Sequence, residues 1–247
     1  MKKILFPIFL IIALSSCSKK QETVNNLDEL LARHFDAIGA EKLKNSQTIL
    51  HRDRISLSSD NSAFTEIEVF ARKPNYYFFK SVDNGDTLIV ANNAKVNWIY
   101  SSGEYKEREA EKGNNSFNMY AYGFASLLFG KMNNWAMEYT GRESFNGKDL
   151  YRIKVIQPEM GETGRDSVYI YDIDPENFLI MRMTNGGATQ YYTEYKEEKG
   201  IKYASKVSSD YEGVKSEGYF RGSILEFKVD IELPDQLFEP ERFRIKK

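Results

Sequence analysis

The sequence has almost no cysteine, with a single one, Cys17, in 247 residues. Because there is no second thiol, no intrachain disulfide can form, and the hydrophobic core must hold the fold without cross-links. Cys17 has three interpretations: a small buried hydrophobic residue, one half of an intermolecular bridge, or the site of a covalent modification. The residues around it decide among the three.

Residue patterns typical of catalytic sites are also missing. The two histidines, His34 and His51, belong to no His-x-x-x-His pair, Cys-His arrangement or Gly-x-Ser-x-Gly motif. The acidic stretch "DIDPEN" lacks the glycine and the terminal glutamate of a calcium loop, and its Pro175 favours a turn between strands. We therefore expect no catalytic residue, no metal site and no cofactor.

Long apolar runs and concentrated basic runs are absent as well. The main apolar stretch, Ile4 to Leu14, is about half the ~20 residues that a transmembrane helix needs. Removing Lys2 and Lys3 from the 34 basic residues leaves 32 against 36 acidic ones, a net charge of −4. We expect neither a transmembrane anchor nor nucleic acid as a partner.

The start of the chain does contain the pattern of an export signal, because two lysines precede the apolar run. The end of that run, Leu14-Ser15-Ser16-Cys17, resembles the lipobox of bacterial lipoprotein signal peptides, in which an aliphatic residue and two small ones precede the cysteine. The resemblance implies that Cys17 receives a diacylglycerol and becomes an acylated amino terminus after cleavage.

The same resemblance divides the chain into residues 1–16 as signal peptide, 17–25 as lipidated tether and 26–247 as one folded domain. Several acyl chains bind a membrane far more firmly than one chain does. Ser18 stands where aspartate is the usual inner-membrane retention signal in such lipoproteins. We expect a monomer anchored to the outer membrane through Cys17, facing either the periplasm or the cell exterior.

Most of the remaining chain is predicted to form β-strands. One amphipathic helix comes first, with Asn26 as its N-cap and Gly39 at its end. Turn signals then recur at short intervals, several of them Asn-Gly or Lys-Gly pairs that suit two-residue hairpins. The pattern predicts an antiparallel meander of about eleven strands in a single domain.

Two segments require apolar surroundings on more than one side. "YYFF", Tyr76 to Phe79, places aromatic side chains on both faces of one strand, since side chains alternate along a strand. The stretch 117–135 has helical spacing yet is apolar almost all round. A strongly curved sheet with a helix on its concave side would give both segments apolar surroundings. For residues 117–135, an ordinary core helix is an equal alternative.

Several stretches resemble bacterial outer-membrane lipoprotein-sorting proteins of the LolA and LolB type. They are "HFDAIGAEKLKNSQTI", "YDIDPENFLIMRMTNGG", "YYTEYKEEKGIKYASKV" and "ELPDQLFEPE". The resemblance implies a mainly β fold, a single unclosed antiparallel β-barrel with an N-terminal helix and a lid helix over a hydrophobic cavity. In the carriers of this family an arginine holds the lid, and Arg52, Arg54 and Arg72 are the candidates here.

The resemblance further implies that the cavity binds a lipid or the acyl chains of an acylated client protein, with a role in lipoprotein sorting. The alternative is a non-catalytic interaction or sensor module on the same scaffold, with a filled barrel. We expect the ligand site to be formed by Tyr76, Phe78, Trp98, Tyr120, Phe124, Leu127, Leu128 and Phe129.

Overall fold

The computed structural model describes residues 24–56, 64–83, 85–109, 115–158, 167–211 and 220–241. Cys17 and the predicted signal peptide lie outside the described residues. The helices in the described part are α1 (Leu27–Ile38), α2 (Ala40–Asn45), α3 (Asn115–Tyr122) and α4 (Ser126–Met132), with a short 3-10 turn at Asp235–Leu237. The strands are β1 (Thr48–Ser56), β2 (Phe64–Arg72), β3 (Tyr76–Asp83), β4 (Asp86–Asn93), β5 (Val96–Ser101), β6 (Glu104–Glu109), β7 (Ala136–Phe145), β8 (Lys148–Gln157), β9 (Ser167–Ile173), β10 (Ile180–Asn185), β11 (Ala188–Glu198), β12 (Ile201–Tyr211) and β13 (Phe220–Val229).

Helix α1 begins and ends where the sequence predicts. The Asn26 side chain accepts a hydrogen bond from the Glu29 amide at 2.9 Å, and the Glu29 carboxylate accepts one from the Asn25 amide at 3.2 Å. The first bond satisfies an amide that the first turn of a helix leaves without a partner, and the second ties the residue before the N-cap to the same turn. At the other end, Gly39 adopts the left-handed conformation, with φ of 70°, and the helix stops.

The strands form one antiparallel sheet with the order β6-β5-β4-β3-β2-β1-β13-β12-β11-β10-β9-β8-β7. The chain starts in the middle of the sheet at β1 and meanders outward to one edge at β6. It then reaches the opposite edge, β7, through α3 and α4, and meanders back to the middle at β13. Since β6 and β7 are both edges, the barrel is unclosed, and the helical connection runs between its two edges. The sheet has thirteen strands where about eleven were predicted.

Tight hairpins account for the regular meander. At Asn146-Gly147 and Lys199-Gly200 both residues of the turn have positive φ, between 49° and 79°. This geometry matches the right-handed twist of the flanking strands, and it favours Asn and Gly because side chains at positive φ are strained. The prediction of two-residue hairpins at the Asn-Gly and Lys-Gly pairs is confirmed at these turns.

The two faces of the sheet have different coverings. The inner face, defined as the face that contacts α1, α3 and α4, carries Tyr77 and Phe79, whose rings lie 4.8 and 5.2 Å from the ring of Tyr120. The outer face of the first half is covered by the segment 231–238, which packs on an aromatic cluster that includes Phe78 and Trp98. The "YYFF" strand therefore has apolar contacts on both faces, as the sequence predicted.

The predicted lid helix is two short helices instead of one. Helix α3 ends at Tyr122 and α4 begins at Ser126, so Gly123, Phe124 and Ala125 form a break between them. Glycine destabilises a helix interior by about 1 kcal/mol relative to alanine, which favours a break at this place. No helix in the described ranges is both long enough and apolar enough to cross a membrane.

Candidate functional site

A cleft of about 360 Å³ opens on the inner face beside the break between α3 and α4. Its apolar walls come from the strands β1, β12 and β13 and from the break itself, and its polar groups are mostly uncharged. The lining residues are Asp53, Ile55, Gly123, Phe124, Ser126, Gln190, Tyr192, Ala204, Val207, Gly222, Ser223 and Ile224. The volume lies within the range of about 300–1,000 Å³ that is usual for ligand pockets.

The cleft exists because a glycine, Gly222, occupies a position where a larger side chain would fill the space. Gly222 on β13 pairs with Ile55 on one side and with Val207 on the other. Since glycine has no side chain, the space between these two apolar residues is not filled from β13. A strand register that aligns Ile55, Gly222 and Val207 therefore creates an apolar floor with a gap in its middle.

Helix α4 lines the cleft at its first residue, Ser126, and packs into the core beyond it. Leu127 is fully buried with Leu30 of α1 and Tyr151 of β8. Leu128 and Phe129 belong instead to the core that includes Tyr77. Successive residues of α4 thus join two apolar clusters, and the helix is part of the core along most of its length.

The break at Phe124 is held to the sheet by His51 on β1. The Nε2 atom of His51 lies 3.3 Å from the carbonyl oxygen of Tyr120, and its Nδ1 atom lies 3.0 and 3.1 Å from the two carboxylate oxygens of Asp53. The ring of Phe124 meets the His51 ring at a centroid distance of 5.8 Å. His51 therefore ties the backbone of α3 to the strand that also forms one wall of the cleft.

The predicted ligand residues fall into three groups in the structure. Phe124 lines the inner cleft. Tyr120 lies on the inner face nearby, while Leu127, Leu128 and Phe129 are buried in the core. Tyr76, Phe78 and Trp98 lie on the outer face, in or against the cluster under the segment 231–238, where the Trp98 indole N–H donates to the Phe238 carbonyl at 3.1 Å. The structure does not bring this last group to the inner cleft.

The three arginines considered for holding the lid all have partners elsewhere. Arg52 pairs with Glu68 and Glu226 on the outer face, and Arg54 pairs with Glu66. Arg72 donates to the Leu233 carbonyl at 3.0 Å and pairs with Asp235. Among the described side chains, His51 bonds to the backbone of α3, at the Tyr120 carbonyl. No catalytic pattern in the sequence includes His51, so the sequence gives this residue no role.

Two larger clefts have a more charged lining. One of about 670 Å³ lies on the outer face, with Arg52, Glu68, Lys80 and Asp86 in its wall. Another of about 740 Å³ lies among α1, α2 and α4, and its wall includes Lys42, Lys44 and Lys131. Burying a charge without a partner is costly. The inner cleft is accordingly the best suited of the three to an apolar ligand.

Burial shifts the pKa values of His34, Tyr171 and Tyr192 toward their neutral forms. Burial lowers the pKa of His34 to about 4, against a smaller opposing effect of its 2.8 Å hydrogen bond to the Phe178 carbonyl. Burial raises the pKa of Tyr171 to about 12 and also raises the pKa of Tyr192. Both tyrosines therefore keep their hydroxyl protons at neutral pH.

The acidic stretch "DIDPEN" forms a turn, as predicted. The Asp174 carboxylate accepts the Glu176 amide at 2.9 Å, and the Phe178 amide donates to the Asp174 carbonyl at 2.9 Å. Asp172 is buried between the guanidinium groups of Arg152 and Arg182. In the ranges that the structure describes, no three His, Cys, Asp or Glu side chains converge as a metal site.

The sequence analysis missed most of the cleft walls. Asp53 comes from β1, the first strand, whereas Gln190, Val207 and Ile224 come from β11, β12 and β13, the last three strands. The pairing of the first strand with the last one brings them together. Strand alternation could have placed Asp53 and Ile55 on one face, but the pairing of β1 with β13 leaves no local signal.

Comparison with known proteins identifies the fold. No family model and no curated protein matches this sequence. A DUF1329 family protein from Desulfovibrio piger has a TM-score of 0.57 at 13% identity, over 87% of this chain and 99% of that one. A LolA superfamily protein from Nitrosomonas europaea has a TM-score of 0.56 at 11% identity, over 89% of this chain and 100% of that one.

A third solved structure, described as an outer membrane lipoprotein-sorting protein domain from Vibrio parahaemolyticus, has a TM-score of 0.51 at 10% identity. The match covers 87% of this chain and 99% of that chain. At such identities the likeness establishes the fold alone. The chain has a LolA-like fold, an unclosed antiparallel β-barrel with few helices, as the resemblance in the sequence predicted.

Proposed function

We propose that this protein is an envelope lipoprotein that binds an acyl chain in the inner cleft. The ligand is a lipid or the acyl group of a client lipoprotein, and the task is non-catalytic. The observation that carries the proposal is the cleft of about 360 Å³ itself, with Ile55, Phe124 and Val207 in its wall and a break in the helical connection at its side. Each methylene that enters it gains about 0.8 kcal/mol.

The fold comparison supports this proposal at a coarser level. Two of the similar structures are described as a LolA superfamily protein and an outer membrane lipoprotein-sorting domain. We further propose that Cys17 carries the lipid anchor, that residues 17–25 form the tether, and that the protein resides at the outer membrane. A role in lipoprotein sorting is part of the same proposal.

The second candidate function is a protein-interaction module with a filled barrel. It is favoured by the burial of Leu127, Leu128 and Phe129, which are at most 9% exposed and belong to the packed core. In this case the ligands would be proteins, and the inner cleft would have no occupant.

The test measures binding of a pyrene-labelled monoacylglycerol, an uncharged acyl probe, to the chain from Ser18 onward. That chain contains every residue that the structure describes, from Val24 to Glu241. The informative pair of variants is Ile224→Asp and Leu225→Asp. Ile224 lines the cleft, whereas its neighbour Leu225 is 56% exposed and does not line it.

We expect the wild type to bind and Ile224→Asp to weaken binding at least about tenfold, which corresponds to about 1.4 kcal/mol, because a carboxylate in the cleft lacks a partner. Leu225→Asp should bind like the wild type. If the wild type takes up no probe, or if both variants behave alike, the acyl-binding proposal fails and the interaction module replaces it.

A further inference from the structure

Among its described lining residues, the inner cleft carries one acidic side chain and no basic one. Asp53 is the only Asp, Glu, Lys, Arg or His in this part of its wall. The other polar groups there are the hydroxyls of Ser126, Ser223 and Tyr192 and the amide of Gln190. The cleft therefore combines apolar walls, neutral hydrogen-bonding groups and one negative charge.

The basic side chains beside Asp53 in β1 are already engaged. Arg52 and Arg54 flank it in β1 but point to the outer face, where they pair with Glu68 and Glu66. His51 contacts Asp53 through Nδ1 and the Tyr120 carbonyl through Nε2, so both of its ring nitrogens have partners. Neither arginine lines the cleft, and both ring nitrogens of His51 are engaged, so none of the three directs a donor at a ligand there.

This arrangement discriminates between the polar ends of acyl ligands. The carboxylate of a free fatty acid would lose its hydration in the cleft and would meet Asp53, an acidic group that contacts the His51 ring and has no lysine or arginine beside it in the described cleft wall. An ester or amide needs only hydrogen bonds, and the side-chain NH2 group of Gln190, whose carbonyl accepts from the Tyr192 hydroxyl at 3.5 Å, can donate them.

We propose that the inner cleft takes acyl chains that end in an uncharged ester or amide and rejects free fatty acids, and that Asp53 is the residue that sets this selectivity. The proposal rests on the acyl-binding function proposed above. Neutral glycerides and the acyl groups of lipoproteins both present such ends.

The experiment compares three pyrene-labelled probes of the same chain length at pH 8, where a carboxylic acid is ionised. They are a monoacylglycerol, an acylated uncharged peptide amide and a free fatty acid, each titrated into the chain from Ser18 onward. The variants are Asp53→Asn, which removes the charge at nearly constant volume, and Gln190→Lys, which adds a cation to the cleft. Glu66→Gln on the outer face is the matched control.

We expect the wild type to bind at least one uncharged probe about tenfold more tightly than the fatty acid. The tighter of the two uncharged probes identifies the source, lipid or acylated protein. Asp53→Asn should strengthen fatty-acid binding and bring the ratio to about twofold or less, and Gln190→Lys should bring the fatty acid to parity or better. Glu66→Gln should leave the ratio unchanged.

Equal binding of the fatty acid and both uncharged probes by the wild type would overturn the selectivity proposal while leaving acyl binding intact. The selectivity proposal would also be overturned if neither Asp53→Asn nor Gln190→Lys changed the ratio between uncharged-probe and fatty-acid affinity. Because the Gln190→Lys result does not depend on the His51–Asp53 contact, a folding defect in Asp53→Asn would not remove the test. Absence of binding by all three probes would instead contradict the acyl-binding function itself.

Discussion

Lowering the pH should destabilise this protein through His34, which is buried on α1. Its Nδ1–H donates to the Phe178 carbonyl at 2.8 Å, and burial lowers its pKa from 6.5 to about 4. In the unfolded chain the imidazole binds a proton below pH 6.5, whereas in the folded chain it does so only near pH 4. The contribution of neutral His34 to the free energy of unfolding is therefore fully present above pH 6.5, and it is lost as the pH falls toward 4.

The magnitude follows from the difference between the two pKa values. Each pKa unit corresponds to about 1.4 kcal/mol, so the separation between 6.5 and about 4 is worth roughly 3 kcal/mol of unfolding free energy. A variant without the imidazole, His34→Gln, should be less stable than the wild type at pH 7.5. Most of that deficit should disappear at pH 4.5, because only the wild type loses the His34 contribution.

The assay is urea unfolding at pH 7.5, 6, 5 and 4.5, followed by tryptophan fluorescence from the buried Trp98 and the partly buried Trp135. Lys106→Gln, on an exposed strand residue, is the control and should differ from the wild type by the same small amount at every pH. The reasoning is refuted if the stability gap between wild type and His34→Gln is constant across this range. An NMR titration that finds His34 protonating near pH 6.5 in the folded protein would refute it as well.

Three further predictions concern the anchor, the α1–α2 junction and α3. Cys17→Ser should abolish fatty-acid labelling of the chain in cells while the domain still folds, and labelling that persists would contradict the lipobox interpretation. Gly39→Ala should destabilise the protein by about 1–3 kcal/mol more than Gly147→Ala, measured by thermal or urea unfolding. Both glycines have positive φ, but a Cβ at Gly39 would overlap the Gly200 carbonyl, whereas a Cβ at Gly147 would meet nothing. Equal losses of stability in the two variants would contradict this prediction. His51→Gln should accelerate the exchange of backbone amide hydrogens in α3, because His51 bonds to the Tyr120 carbonyl. Arg54→Gln is the control, since Arg54 pairs with Glu66 on the outer face. Unchanged exchange in α3 of His51→Gln would show that His51 does not hold α3 to the sheet.

Local signals predicted local structure well in this chain. The caps of α1, at Asn26 and Gly39, depend on interactions between residues at most four positions apart. A hairpin such as Asn146-Gly147 depends on the φ preferences of its two turn residues. The alternation in "YYFF" correctly required an apolar covering on both faces of β3. Each of these features depends on a neighbourhood that the sequence displays directly.

The site was harder to predict because its walls depend on long-range pairing. The register that places Ile55 beside Gly222 joins the first strand to the last one, and nothing local to either strand specifies it. The interpretation of residues 117–135 as one helix followed the apolar periodicity and gave too little weight to Gly123. Trp98 and Phe78, which the sequence analysis places at the ligand site, pack on the outer face under the segment 231–238 and not at the inner cleft.

The central claim, an acyl chain in the inner cleft, is tested most directly by photo-crosslinking. A monoacylglycerol with a diazirine at the end of its chain is irradiated with the protein from Ser18 onward, and the labelled peptides are located by mass spectrometry. The account predicts label on Gln190 and Tyr192 of β11 and on residues 222–224 of β13, the walls of the cleft. Label confined to the outer cleft near Phe78 and Tyr100, or no label that an unlabelled monoacylglycerol displaces, would contradict it.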